Sequence, residues 1–236
     1  MSPAVPRPAS TVAILRDSVV DSVVTGGNAG VDVWLMRRHP AMAFAAGMQA
    51  FPGGAVEVSD RHDALPWAAV DWDAYAAVVG LDPVEVRALV SAAVRETFEE
   101  CGVLVADGID GESEKLRLAL LDGALTWSDL LRDVGATVDA AALVPWSRWV
   151  TPAWSSRRFD AYFFVAALPA GQDPRWIDGE ADQARWVSAR DAVALHERGA
   201  LPMLPPTIAT LRDLARFEDV ASALAGGPMR ILQEIG

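Results

Sequence analysis

Val86, Leu89, Val90, Ala93, Val94 and Thr97 recur at steps of three and four, so one face of a helix would bury them together. Asp82-Pro83-Val84-Glu85 opens that helix: Asp82 can cap, Pro83 suits the first helical position, and Glu85 completes a capping box. Gly102 closes it as a left-handed cap. At 1.5 Å per residue, a helix from Pro83 to Cys101 is about 28 Å long. Ahead of it, Thr11 to Val24 has β-branched runs on both sides of Asp17-Ser18, predicting a strand that continues or hairpins back. Gly26-Gly27-Asn28-Ala29-Gly30 is a turn cluster. Val31 to Met36 alternates with Asp32 and Trp34 and predicts a strand ending in Arg37-Arg38-His39. The small apolar stretch Ala41 to Ala50 leads into Phe51-Pro52-Gly53-Gly54, where Pro stiffens the chain and the glycines permit backbone angles other residues avoid.

Beyond the long helix, Ser113 to Leu121 and Thr126 to Val134 predict short helices, the second capped by Thr126 with Asp129 in the box position. Leu143 to Thr151, Phe159 to Leu168 and Ala184 to Val187 read as strands; Ser188 to Arg198 and Pro206 to Leu224 read as helices. Without a regular βαβ alternation, this mixture indicates an α+β fold over a doubly wound sheet. Residues 1–10, with Pro3, Pro6 and Pro8, read as a flexible arm. Residues 11–225 read as one domain with an insertion at about 61–82, and residues 226–236 as a C-terminal tail. In the insertion, Trp67, Trp72 and Tyr75 read as packing residues more readily than as ligand contacts.

The formal net charge of −12 argues against a nucleic-acid-binding surface, so no nucleic-acid partner is expected. No apolar run reaches membrane-spanning length, so no membrane partner is expected either. Cys101 is the only cysteine; no intrachain disulfide can form, a cytoplasmic location fits, and a buried small side chain is expected at that position.

Charge also changes the reading of the long helix. Glu96, Glu99 and Glu100 stand at steps of three and four, within an arc of about 100° on one side. Like charges so spaced repel by roughly 0.2–0.5 kcal/mol per pair. A divalent cation reverses that sign, because hard ions such as Mg²⁺ prefer carboxylate oxygens. Arg95 can orient one of the carboxylates by a bidentate bond. A solvated acidic face is the competing explanation. Gly53-Gly54 ahead of the helix then suggests a loop that cradles metal and diphosphate, where an isolated Gly-Gly would be only a turn.

Together these residues resemble the Nudix box, G-x5-E-x7-R-E-U-x-E-E-x-G-U with U aliphatic. Gly54 matches its first glycine, and Arg95, Glu96, Glu99, Glu100, Gly102 and Val103 match its second half. Thr97 replaces an aliphatic position, and Asp60 stands where the box has its first Glu. Residues 61–94 then separate Asp60 from Arg95, where the standard box has seven, so the box is split by an insertion. Further on, Trp146, Trp149, Thr151-Pro152, Arg157-Arg158-Phe159-Asp160, Phe163-Phe164, Glu180, Trp186 and Leu204-Pro205-Pro206 form a series. Their order is similar to the Nudix subgroup that includes the vertebrate peroxisomal CoA and acyl-CoA diphosphatase, which also carries an insertion inside the box.

The resemblance implies a Nudix α/β/α sandwich around a mixed sheet, with a helical insertion. It implies a Mg²⁺- or Mn²⁺-dependent diphosphatase acting on a CoA-like nucleotide and giving 3′,5′-ADP and a phosphopantetheine. Rival substrates are ADP-ribose, NADH, nucleotide sugars and nucleoside triphosphates, and a non-catalytic nucleotide-binding module is the rival class. The implied ligands are Glu96, Glu99, Glu100 and Glu180, with Arg95 as orienter, Glu96 or Glu180 as base, and Asp182 as the fallback for Glu180. Arg37, Phe51, Gly53, Gly54, Arg157 and Arg158 are the expected substrate contacts. Arg157-Arg158 reads as a fork suited to the 3′-phosphate of CoA, or as surface arginines balancing an acidic chain. His39, His62 and His196 show no metal-ligand spacing. A homodimer is left open.

Overall fold

The computed structural model describes residues 4–18, 30–40, 45–61, 65–106, 113–177, 181–226 and 230–234. Its strands are β1 (Arg7–Asp17), β2 (Val31–Arg38), β3 (Gln49–Ala50), β4 (Gly53–Ala55), β5 (Val144–Val150), β6 (Phe159–Ala167), β7 (Ala181–Ser188) and β8 (Arg230–Glu234). Its helices are α1 (Trp72–Val79), α2 (Pro83–Cys101), α3 (Ser113–Leu121), α4 (Trp127–Asp133), α5 (Ala189–Glu197), α6 (Pro205–Leu214) and α7 (Val220–Gly226). Among these residues the strands form one mixed sheet in the order β3-β2-β1-β6-β5-β8, with β4 paired to β1 and β7 to β2. β1 runs parallel to β6 and antiparallel to β2 and β4.

The central strands are buried on both faces, which is why their sequences read as near-continuous apolar runs. In β1, Val12 and Ile14 join the core beneath α2, whereas Ala13 and Leu15 join the core beneath α5 and α6. β6 divides the same way, with Tyr162 and Phe164 on the α2 side and Phe163 and Val165 on the other. The outcome is the expected α/β/α sandwich. No helix among the described residues is long and apolar enough to cross a membrane.

α2 follows its sequence closely. The Asp82 side chain accepts from Val84 N–H, and Gly102 closes the helix at φ 74°. Glu85 instead meets Arg61, so the capping box does not close. Thr97 fills an aliphatic position because its hydroxyl, fully buried, donates to the Ala93 carbonyl (2.7 Å). In the insertion, Trp67, Trp72 and Tyr75 pack edge to face, and the Tyr75 hydroxyl donates to the Leu143 carbonyl. These aromatics pack α1 against the core.

Three boundaries differ from the sequence reading. β1 already begins at Arg7, inside the expected arm, since residues 7–10 pair with β6 and β4 flanks them from Ala9. Pro8 is tolerated there because its carbonyl still accepts from Val56 N–H (2.9 Å). The expected tail contributes β8, which pairs in parallel with the outer edge of β5. The helix expected over Pro206 to Leu224 is two helices: Phe217 turns in against Trp146, and Asp17 and Asp219 accept the first N–H groups of α7. The Gly26–Ala29 turn, the strand beyond Ser18 and His62 lie outside the described residues.

Candidate active site

The site is built on the C-terminal half of α2. Arg95 is buried at 3 % exposure and ties four acceptors together. Its Nε and Nη2 donate to Asp60 (3.0 and 2.8 Å), Nη2 also to the Ala55 carbonyl, and Nη1 to Glu96 and Glu99 (both 3.1 Å). Burial alone would lower the Arg95 pKa, but the bonds and charges of Asp60, Glu96 and Glu99 hold it above the ordinary value. Asp60, at 1 % exposure, also accepts from Ser91 Oγ (3.0 Å) and Glu57 N–H (2.8 Å). The acid at the first Glu position of the box is thus the clamp for Arg95, a bidentate role that a shorter Asp can fill.

Glu96 lies against the glycine strand. A Cβ on Gly54 would fall 2.3 Å from Glu96 Oε1, so only glycine leaves room for the carboxylate. A Cβ on Gly53 would fall 2.4 Å from the Ser10 carbonyl oxygen, while the Gly53 N–H donates to Glu100 Oε2 (2.8 Å). Burial pushes the Glu96 pKa to about 7, opposed by Arg95 and reinforced by Glu99. Glu99 is raised as well, first by burial and then, against Arg95, by the charge of Glu57.

The three glutamates line a cavity of about 250 Å³ together with Arg117, Leu118, Leu121 and Ile177. Arg117, on α3, is buried at 4 % exposure; it donates from Nη1 to the Glu99 carbonyl (3.0 Å) and grips Glu114 through Nε and Nη2. On the other side of Gly53-Gly54 a second, apolar cavity of about 340 Å³ is walled by Phe51, Trp149, Phe159 and Phe163, with Arg7 and Arg38 also lining it.

Three hard oxygen donors on one cavity, with a glycine hollow beside them, suit a divalent cation by chemistry. As they stand, no group of three His, Cys, Asp or Glu side chains among the described residues is gathered to clasp an ion. Glu96 and Glu99 each accept a hydrogen bond from Arg95, which does not itself line the cavity.

The structure therefore brings together Arg95, Glu96, Glu99, Glu100, Gly53 and Gly54, with Phe51 on the adjoining cavity. Arg37 stands elsewhere: it forms a two-bond pair with Asp182. The neighbouring Arg38 lines the apolar cavity instead, at a register shift in the β2–β7 pairing. Arg158 donates to the carbonyls of Thr151 and Ala4, and exposed Arg157 lines neither cavity. Glu180 lies outside the described residues, and Asp182 is held by Arg37. Cys101 is buried with its thiol pushed up to about 12, which removes it as a nucleophile. The imidazole Nδ1 of His196 meets the Leu201 carbonyl at 3.0 Å, a structural contact. Glu57, Asp60 and Arg117 are not among the site residues that the sequence predicts. Asp60 was signalled by its position in the box, whereas Arg117 reaches the site only through the packing of α3 on α2.

Comparison with known proteins places the family and the fold. The NUDT19 Nudix domain matches residues 82–214. The acyl-coenzyme A diphosphatase NUDT19 of Homo sapiens is 27% identical over 236 residues, spanning 81% of this chain and 62% of the relative. Its Xenopus laevis counterpart is 24% identical over 235 residues, spanning 80% and 61%. The chain thus spans about 60% of the length of these curated relatives. A NUDIX hydrolase from Alicyclobacillus acidocaldarius is 31% identical, with a TM-score of 0.72 and 98% of both chains covered.

Proposed function

This chain belongs to the NUDT19 Nudix domain family of Nudix hydrolases, and from that premise we propose that it hydrolyses the diphosphate bond of a CoA-like nucleotide. CoA or an acyl-CoA would give 3′,5′-ADP and phosphopantetheine or its acyl form. The observation that carries this reading is the gathering of Glu96, Glu99 and Glu100 on one cavity beside the Gly53-Gly54 strand, with Arg95 locking two of them.

A divalent cation, Mg²⁺ or Mn²⁺, held by Glu96, Glu99 and Glu100 would neutralise the diphosphate and lower the pKa of an attacking water. Water oxygen attacks one phosphorus, the bridging P–O bond breaks, and the other phosphate leaves with the electron pair. Glu96, on the cavity wall against Gly54, would accept the proton from water. Arg95 keeps Glu96 and Glu99 aligned, and the Gly53 N–H fixes Glu100. The apolar cavity offers aromatic walls on which the nucleoside half can pack.

Incubation of the purified chain with CoA, acyl-CoA, ADP-ribose, NADH and a nucleotide sugar, at equal Mg²⁺ or Mn²⁺, tests this. Mass spectrometry should show 3′,5′-ADP from CoA with the highest kcat/KM. A strong preference for ADP-ribose would replace the substrate and keep the chemistry. No hydrolysis of any of them would leave a nucleotide-binding module.

A further inference from the structure

The apolar cavity has a cation on its rim for which the diphosphate chemistry has no use. Arg7, Ala9 and Thr11 share one face of β1 and line this cavity. They lie in register with Phe159, Ala161 and Phe163 of β6, which line it too. The guanidinium of Arg7 makes no hydrogen bond or ion pair with a described residue. Nearby arginines do: Arg148 holds Asp160 with two bonds, and Arg158 spans two carbonyls. In a chain of net charge −12, an arginine beside a cavity with no carboxylate on it calls for an anionic ligand.

The register places that ligand. Ser10 is paired with Gly54, so Arg7 starts three strand residues, about 10 Å, from the turn that adjoins the carboxylate cavity. A ribose ring, carrying one phosphate on its 5′ oxygen and another on its 3′ oxygen, covers that span together with an extended arginine side chain. Arg7 N–H donates to the Arg158 carbonyl (2.9 Å), which brings the Arg157-Arg158 segment to the same rim. Of Arg7, Arg157 and Arg158, it is Arg7 that lines the cavity.

We propose that Arg7 binds a phosphomonoester on the ribose of the substrate, so that this site selects nucleotides phosphorylated there as well as at the 5′ diphosphate. The inference rests on the diphosphatase reading and deepens it: CoA is preferred over dephospho-CoA. Arg7 is a specificity residue and takes no part in the bond cleavage.

Calorimetric titration with 3′,5′-ADP and with 5′-AMP tests the site without turnover. The wild-type chain should bind 3′,5′-ADP about tenfold or more tighter, the scale of one charge-assisted hydrogen bond. Arg7→Gln should collapse that ratio towards one, and Arg7→Lys should keep part of it. Equal binding by the wild-type chain, an unchanged ratio in Arg7→Gln, or equal weakening of both ligands would each overturn the proposal. The ratio of kcat/KM for CoA over dephospho-CoA should fall in parallel. If neither is hydrolysed, the diphosphatase reading fails alone, and the nucleotide titrations still decide the role of Arg7.

Discussion

Gly54 shows how little space separates the glycine strand from the carboxylate edge of α2. A methyl group there would meet both oxygens and the carboxyl carbon of Glu96, all within 2.6 Å. The clash is with the end of a side chain, so the fold can yield and the carboxylate must move. Gly54→Ala should therefore keep a cooperative melt and lose at least about tenfold in turnover, the scale seen when one reacting group is misplaced. Glu99→Gln and Glu100→Gln remove a charge and keep the shape. Each should leave the fold in place and cut turnover by about tenfold or more under saturating Mg²⁺ or Mn²⁺. Unchanged kcat in both would show that hydrolysis does not depend on these two carboxylates, and the cation role assigned to them would fall. Asp60 plays a different part, because it touches Arg95 and not the cavity. Asp60→Ala leaves a buried guanidinium with its main partner gone, at a cost of about 3–5 kcal/mol. Urea unfolding measures this directly, and a loss under about 1 kcal/mol would show that Glu96 and Glu99 alone satisfy Arg95.

Among the elements, α2 was the most legible because its cap, its stripe and its terminator all act within one helix. Asp82→Ala should cost the chain about 1 kcal/mol of stability, the usual worth of an N-cap, read as a lower melting temperature. The three glutamates are legible for the same reason, since steps of three and four on a helix fix a face. What the sequence hid depends on pairing between distant segments. Residues 7–10 look like a proline-rich arm until β6 and β4 are placed around them. Arg37 and Arg38 are adjacent in sequence, and only the pairing of β2 with β7 sends the first to Asp182 and the second to the cavity. Arg117 has no local signal of function; its place comes from the bond it makes to the Glu99 carbonyl across the α2–α3 contact. The break between α6 and α7 was hidden likewise, because Phe217 leaves the helical course to meet Trp146 on β5.

At the scale of the whole molecule, the site sets how stability responds to pH and to metal. Burial pushes the Glu96 pKa up to about 7 in the folded chain, above the ordinary carboxylate value that it has when unfolded. Between these values the folded state binds more protons than the unfolded one, so stability falls as pH rises through that window. Glu99 is raised in the same direction. The carboxylates held low, Glu114, Asp129, Asp182 and Asp219, act with the opposite sign, and they do so at or below the ordinary carboxylate range. Their contributions are complete before Glu96 ionises. A chain stripped of metal should therefore lose melting temperature between about pH 5 and pH 8. A divalent cation that binds the ionised carboxylates should stabilise most at the upper end of that range, by ligand linkage to the folded state. Glu96→Gln should flatten the metal-free profile and shrink the gain from Mn²⁺. Scanning calorimetry across pH, with chelator and with Mn²⁺, separates the two contributions. A metal-free melting temperature that climbs through this window would mean that Glu96 is solvated and ionised throughout, and the carboxylate cavity would then lack the burial on which its cation affinity is argued.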